Sequence, residues 1–190
     1  MTTPPASTRN PFAFWKVILP VLVILAITVA ALSYLKGQTS ANPDAADLRV
    51  GGKIPEFTLT QFGGGKVPVS SLKGKVLMVN FWATWCEACM VEMPSIVKLR
   101  NQYKSKGFEV VAVDVDENPE AVLPKTLKNF GIDFPVYTDS DGHISGQFDV
   151  QAIPLTVIMN QNREILFIET GGHDWDGEDI HQQMDKWLAG

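Results

Sequence analysis

An apolar run, Val76 to Phe81, leads directly into Trp82, Ala83, Thr84, Trp85, Cys86, Glu87, Ala88 and Cys89, after which apolar residues recur every three or four positions. The run reads as a buried strand and the periodic stretch as a helix. The chain's only 2 cysteines, with two residues between them, therefore stand at the junction, at the helix N-terminus. Unpaired backbone N–H groups and the positive end of the helix dipole stabilise a thiolate there, and can lower a cysteine pKa from ~8.5 into the range ~3.5 to 7.5. This makes Cys86 the candidate nucleophile. Cys89, almost one turn further in, is placed to attack a mixed disulfide formed at Cys86 and to release the partner reduced.

Two blander readings of the pair are weaker. Zinc would need two more ligands, and the only imidazoles, His143, His173 and His181, are distant and not spaced as ligands. A purely structural bridge across so short a loop would constrain the unfolded chain little. The pattern calls for no metal and no cofactor.

The rest of the domain alternates strand and helix. Phe57–Gln61 and Lys66–Val69, separated by three glycines, predict a small hairpin ahead of the central strand Val76–Trp82. The first long helix is expected from about Cys86 to Lys104, with Cys89, Met93, Ile96, Leu99 and Tyr103 on one face and a kink at Pro94. Glu109–Val115 predicts a strand. Asn118 and Pro119 read as the cap and first position of a second helix, with Leu123, Leu127 and Phe130 inward and Pro124 bending it. Phe134–Thr138 predicts another strand, and Leu155–Met159 with Glu164–Ile168 an antiparallel hairpin. Asp176 would cap a last helix whose buried stripe is Ile180, Met184, Trp187 and Leu188. Such alternation implies a mixed sheet covered on both faces.

At 190 residues the chain has room for one such domain and an appendage. From Val17 to Leu35 no residue is charged, and these about 19 residues approach the ~20 that span a bilayer core as a helix. A retained anchor is favoured over a cleaved signal peptide, whose apolar core is usually ~7 to 15 residues. The expected organisation is a short cytoplasmic arm (1–16), a transmembrane anchor (17–35), a linker rich in small polar residues (36–50) and one folded domain (51–190). A short arm is kept inside more easily than a folded domain is kept from following the span outward. A redox pair also suits the oxidising side, so the domain is placed outside the cytoplasm, on the periplasmic side of the inner membrane. A net charge of -5 without a basic cluster argues against nucleic acid as a partner.

Three features together, Asn80 through Pro94, the turn Ala152-Ile153-Pro154 before a strand, and the segment Asn118–Thr138, resemble membrane-anchored thioredoxin-like thiol-disulfide oxidoreductases of the TlpA/ResA type. The resemblance covers roughly Gly51 to the C-terminus. It implies an α/β fold, a thioredoxin-like central mixed β-sheet flanked by helices, with an N-terminal hairpin and a central helix-strand insertion, here joined to one N-terminal transmembrane helix. It implies that Pro154 is the cis-proline beside the disulfide, with the Ile153 backbone offered for strand-like pairing with a substrate peptide. Trp85 would add an apolar platform next to Cys86, whereas Trp82 reads as ordinary packing.

Glu92, three residues after Cys89 and on the same helical face, coincides with an acid that resembling reductases carry near their active site. It is a candidate for proton exchange with the inner thiol, or else a solvated acid of the first turn. Asn80 departs from plain thioredoxin, which has a buried aspartate there. Glu87 opposes a thiolate at Cys86 and so stabilises the disulfide, which favours a reductase, while Ala88 replaces the proline of many relatives.

The resemblance implies protein disulfides as substrates, in apocytochromes c before haem attachment or in copper-site proteins of respiratory oxidases, and a membrane thiol carrier as electron donor. Two other readings stay open: a disulfide oxidase or isomerase, and a copper-binding metallochaperone using both thiolates with Met90, Met93 or a distant histidine. A peroxidase of the peroxiredoxin type would want threonine where this chain has Ala83.

Overall fold

A computed structural model describes residues 19–31 and 46–189. Residues 19–31 form helix α1. At ~1.5 Å per residue it is about 20 Å long, and no helix among the described residues is long and apolar enough to cross a membrane. The ends of the expected anchor, 17–18 and 32–35, lie outside the described residues, as do the expected arm 1–16 and most of the expected linker 36–50.

The second unit is built on strands β1 (Thr58–Gln61), β2 (Lys66–Pro68), β3 (Val76–Trp82), β4 (Phe108–Asp114), β5 (Val136–Thr138), β6 (Leu155–Asn160) and β7 (Ile165–Thr170). Its helices are α2 (Glu87–Tyr103), α3 (Pro119–Phe130), α4 (His143–Gln147) and α5 (Glu178–Ala189). The strands form one seven-stranded sheet in the order β2-β1-β5-β4-β3-β6-β7. β3 runs parallel to β4, and β4 to β5, while the remaining pairings are antiparallel, which is the mixed sheet expected.

β3 lies inside the sheet, between β4 and β6, and every one of its residues is buried, which is why its sequence, Asn80 apart, is apolar on both faces rather than alternating. Successive side chains still point to opposite faces. Val76, Met78 and Trp82 pack with Cys89, Met93, Ile96 and Leu99 of α2, Leu123 of α3 and Ile180, Met184 and Leu188 of α5. Leu77, Val79 and Phe81 pack the other way, against Val111, Val113, Val157, Ile144 and Phe148. The faces predicted for α2 and α5 are thus the buried ones, with Trp187 only partly covered.

Helix α2 continues through Pro94 rather than ending there, although proline brings no N–H to the helical ladder. Two expected caps are not made. Asn118 stands at the N-cap of α3 but its side chain bonds no helix N–H, and Pro119 at the first position has none to offer. Asp176 does not cap α5, because its carboxylate is taken by Lys98 and by the His181 ring, and the helix begins at Glu178. The short α4 was not expected. It follows Gly142 in a left-handed conformation (φ 69°), and the Asp139 carboxylate accepts the N–H groups of Ile144 and Ser145.

Candidate active site

Strand β3 ends at Trp82 and α2 starts at Glu87, so the loop between them is held at the carboxyl end of the central strand. Cys86 is the N-cap of α2, and the N–H of Cys89 donates to Cys86 Sγ at 3.2 Å. The two cysteines are joined as a disulfide. Cys86 is 7 % exposed and Cys89 0 %, so an external sulfur meets Cys86 first.

The peptide bond between Ile153 and Pro154 is cis, as the resemblance implied. Cys86 Sγ lies 3.8 Å from the Ile153 carbonyl oxygen, which brings together residues 67 positions apart in the chain. Trp85 is 69 % exposed. With Val115, Val150, Gln151, Ala152 and Ile153 it lines a groove of about 440 Å³. Trp82 is fully buried among core residues, in keeping with the packing expected of it. Glu87 and Ala88 lie exposed on the first turn of α2, and Gly172 faces Ala88 with room for a side-chain carbon at ordinary contact distance.

Glu92 is not a solvated acid: it is 2 % exposed. Asn80 Nδ2 donates to its Oε1 at 2.9 Å, while the His173 N–H and the Trp175 Nε1–H donate to its Oε2 at 3.1 and 3.2 Å. Burial pushes its pKa above the ordinary carboxylate range, because desolvation penalises the anion, and the three donors pull it part of the way back. Asn80 also donates to Thr156 on β6, so this polar group is tied across the sheet as well as to α2. The carboxylate borders a groove of about 890 Å³ between the start of α2 and the loop Gly172–Asp174.

Sequence reasoning placed Cys86, Cys89, Trp85, Ile153 and Pro154 around one point, and the fold brings them there. It set His173 aside as a metal ligand and did not single out Trp175. His173 is half-buried, with its ring 4.7 Å from that of Trp175. No local pattern marks these donors, since they stand 81 and 83 positions from Glu92. Of the methionines considered as soft ligands, Met93 is fully buried and Met90 half-buried. No cluster of three or more His, Cys, Asp or Glu residues among those described is arranged to hold a metal ion.

The redoxin family pattern matches residues 49–184, which takes in the sheet, the cysteine pair and the cis-proline turn. The chain belongs to the redoxin family. This redoxin is 34 % identical over 149 residues to the thiol-disulfide oxidoreductase ResA of Bacillus subtilis strain 168, a match covering 78 % of this chain and 82 % of that protein. It is 36 % identical over 167 residues to ResA of Oceanobacillus iheyensis, covering 86 % and 83 %. Among solved structures, a thiol:disulfide interchange protein of the thioredoxin family from Chlorobium tepidum superposes with a TM-score of 0.60 at 28 % identity, over 75 % of this chain and 99 % of that one. The redoxin is therefore a thioredoxin-like thiol-disulfide oxidoreductase of the TlpA/ResA type, acting on protein disulfides.

Proposed function

We propose that this redoxin is a membrane-tethered reductase of partner disulfides outside the cytoplasm, in which Cys86 attacks, Cys89 resolves and Glu92 carries a proton. The observation that carries the reading is the depth of the groups. The sulfur at the helix N-cap is the accessible one, the second is fully buried, and a buried acid lies three residues further along the same helix.

The Cys86 thiolate attacks one sulfur of the partner's disulfide and displaces the other as a thiolate, leaving a mixed disulfide. Cys89 gives its proton to Glu92 and its sulfur attacks Cys86, which breaks the mixed bond and releases the partner's second thiolate. Two electrons pass to the partner, and the Cys86–Cys89 disulfide remains for a membrane thiol donor to reduce. Ile153, next to cis-Pro154, pairs with the backbone of the bound peptide, and Trp85 covers its apolar side. Glu87, exposed beside Cys86, opposes the thiolate and supports the reducing direction, with Ala88 the other residue set between the cysteines.

The uncharged run 17–35, of which 19–31 is helical, supports a single anchor in the inner membrane, with the arm 1–16 inside, the linker 36–50 and the domain 51–190 on the periplasmic side. The partner class is the one the TlpA/ResA resemblance implies, apocytochrome c awaiting haem or a copper-site protein awaiting its metal.

Equilibrating the full-length chain with graded dithiothreitol ratios tests the direction. A potential below about -220 mV supports reduction, and one near about -120 to -180 mV moves the protein to disulfide formation or isomerisation. Cys89→Ala is expected to accumulate mixed disulfides through Cys86, and no accumulation with substrate present removes Cys86 as the attacking group.

A further inference from the structure

Two of the three hydrogen bonds on the Glu92 carboxyl come from one irregular segment, residues 171–177, which joins β7 to α5. The His173 N–H and the Trp175 indole N–H both donate to Oε2, at 3.1 and 3.2 Å. No helix or strand ladder fixes this segment, so a few contacts along its length must hold it over Glu92. At its near end Gly171, in a left-handed conformation (φ 93°), donates its N–H to the Pro154 carbonyl at 2.8 Å, which ties it to the cis-proline turn.

In its middle, the Trp175 N–H donates to Ser95 Oγ at 3.1 Å, and the Ser95 hydroxyl donates in turn to the Glu92 backbone carbonyl at 2.7 Å. The single hydroxyl proton and a lone pair of the same oxygen are thus both used. A helical serine that bonds a carbonyl one turn back is ordinarily a local feature. Here its oxygen also accepts from a residue 80 positions along the chain. Trp175 is fully buried, so without that oxygen its N–H would be left in the core with no acceptor, which is costly.

At the far end Asp176 meets Lys98 of α2 and the His181 ring of α5, whose Nε2 lies 3.2 Å from Oδ1. Lys98 is exposed, so water screens its pairing with Asp176 and the pair contributes little. His181 is placed in turn by Tyr103, with Nδ1 3.2 Å from the phenol oxygen and the two rings stacked, at the opposite end of α2 from the cysteines. Ser95 is therefore the bond that fixes the segment to α2 beside Glu92 itself.

We propose that Ser95 is a positioning residue for Glu92, whose hydroxyl holds the segment 171–177 so that His173 and Trp175 both present an N–H to the acid, and thereby sets how fast the mixed disulfide is released. The hydroxyl touches no reacting atom. It acts through Trp175: with the hydroxyl gone, the indole loses its fixed approach to Oε2 and the carboxylate that accepts the Cys89 proton loses its orientation. The inference rests on Glu92 as that acceptor.

The test uses the reduced full-length chain and the aromatic disulfide 5,5'-dithiobis(2-nitrobenzoate), followed by stopped-flow absorbance. Cys86 attacks the reagent and releases one thionitrobenzoate. Cys89 then passes its proton to Glu92 and attacks Cys86, which releases the second thionitrobenzoate and closes the Cys86–Cys89 disulfide, so attack and release are read as two phases. Ser95→Ala should leave the first phase within about twofold and slow the second about tenfold, the size expected within one hydrogen-bonded network. Its Trp175 indole N–H signal, identified in NMR spectra by its loss in Trp175→Phe, should move. Ser95→Thr, which keeps the hydroxyl, should restore both readouts. Ser95→Val, which matches threonine in shape without the hydroxyl, should behave as Ser95→Ala, and the Thr and Val pair decides the matter where Ser95→Ala folds poorly. A second phase that is the same with and without the hydroxyl, or equal slowing of both phases, overturns the proposal. Glu92→Gln separates the two failures. If it leaves the second phase unchanged, the proton role of Glu92 falls and this proposal with it; if it slows that phase while Ser95→Ala and Ser95→Val do not, only the role of Ser95 falls.

Discussion

The Asn80 side-chain amide donates to Glu92 Oε1 at 2.9 Å, joining the central strand to the helix that carries the cysteines at a point where Glu92 is 2 % exposed. The relationship sets two opposing influences on one acid. Burial favours the neutral form and the donors favour the anion, and the outcome is a pKa above the ordinary carboxylate range.

Glu92→Gln keeps the size of the side chain and removes its proton exchange. Attack by Cys86 should proceed, while release of the partner slows by about 100-fold or more, the range expected for loss of a general base. Rapid-quench gels that separate mixed disulfide from free partner would read this, and equal slowing of both steps would refute the assignment.

Trp175→Phe removes one donor to Glu92 while leaving an aromatic ring in the packing. The carboxylate then loses stabilisation, so the Glu92 pKa should rise further and the acidic limb of the rate profile should move to higher pH. Denaturant unfolding should show a loss of ~1 to 3 kcal/mol for a hydrogen bond to a charged group.

Asp114 bears on stability in the opposite sense from a salt-bridged acid. Its folded pKa, about 8, lies above the 3.8 of an unperturbed aspartate, so between those values the folded state holds a proton that the unfolded state has released. Its contribution is therefore favourable at low pH and is lost as pH rises toward 8, by at most about 1.4 kcal/mol per pH unit. Asp114→Asn should flatten that part of the stability curve, measured as denaturant midpoint from pH 4 to 9.

Trp85→Ala should leave the fold intact, since the side chain is 69 % exposed and an exposed substitution typically changes stability by no more than ~0.5 kcal/mol. Reduction of a folded partner should weaken through KM, while reduction of a small disulfide reagent should change little. A thermal midpoint equal to that of the parent, with both activities unchanged, would take Trp85 out of partner binding.

The sequence by itself determined the features that depend on near neighbours. The apolar run of β3, the three-and-four spacing of α2 and the position of Cys86 and Cys89 between them follow from residues a few positions apart, and the fold keeps them nearly to the residue. The Ile153–Pro154 turn was legible through the family resemblance. Tertiary structure decided the rest, because hydrogen bonds and burial are supplied by segments distant in the chain. Asp176 had the residue type of a cap but met Lys98, 78 positions away, and left α5 uncapped by its side chain. Glu92 could be a solvated acid or a buried one until the loop with His173 and Trp175 closed over it. Asp114 carries no local mark at all, since an acid ending a strand is ordinarily solvated. Its raised pKa exists because burial within the folded sheet keeps water from it, with the Asp116 carboxyl adding to the shift.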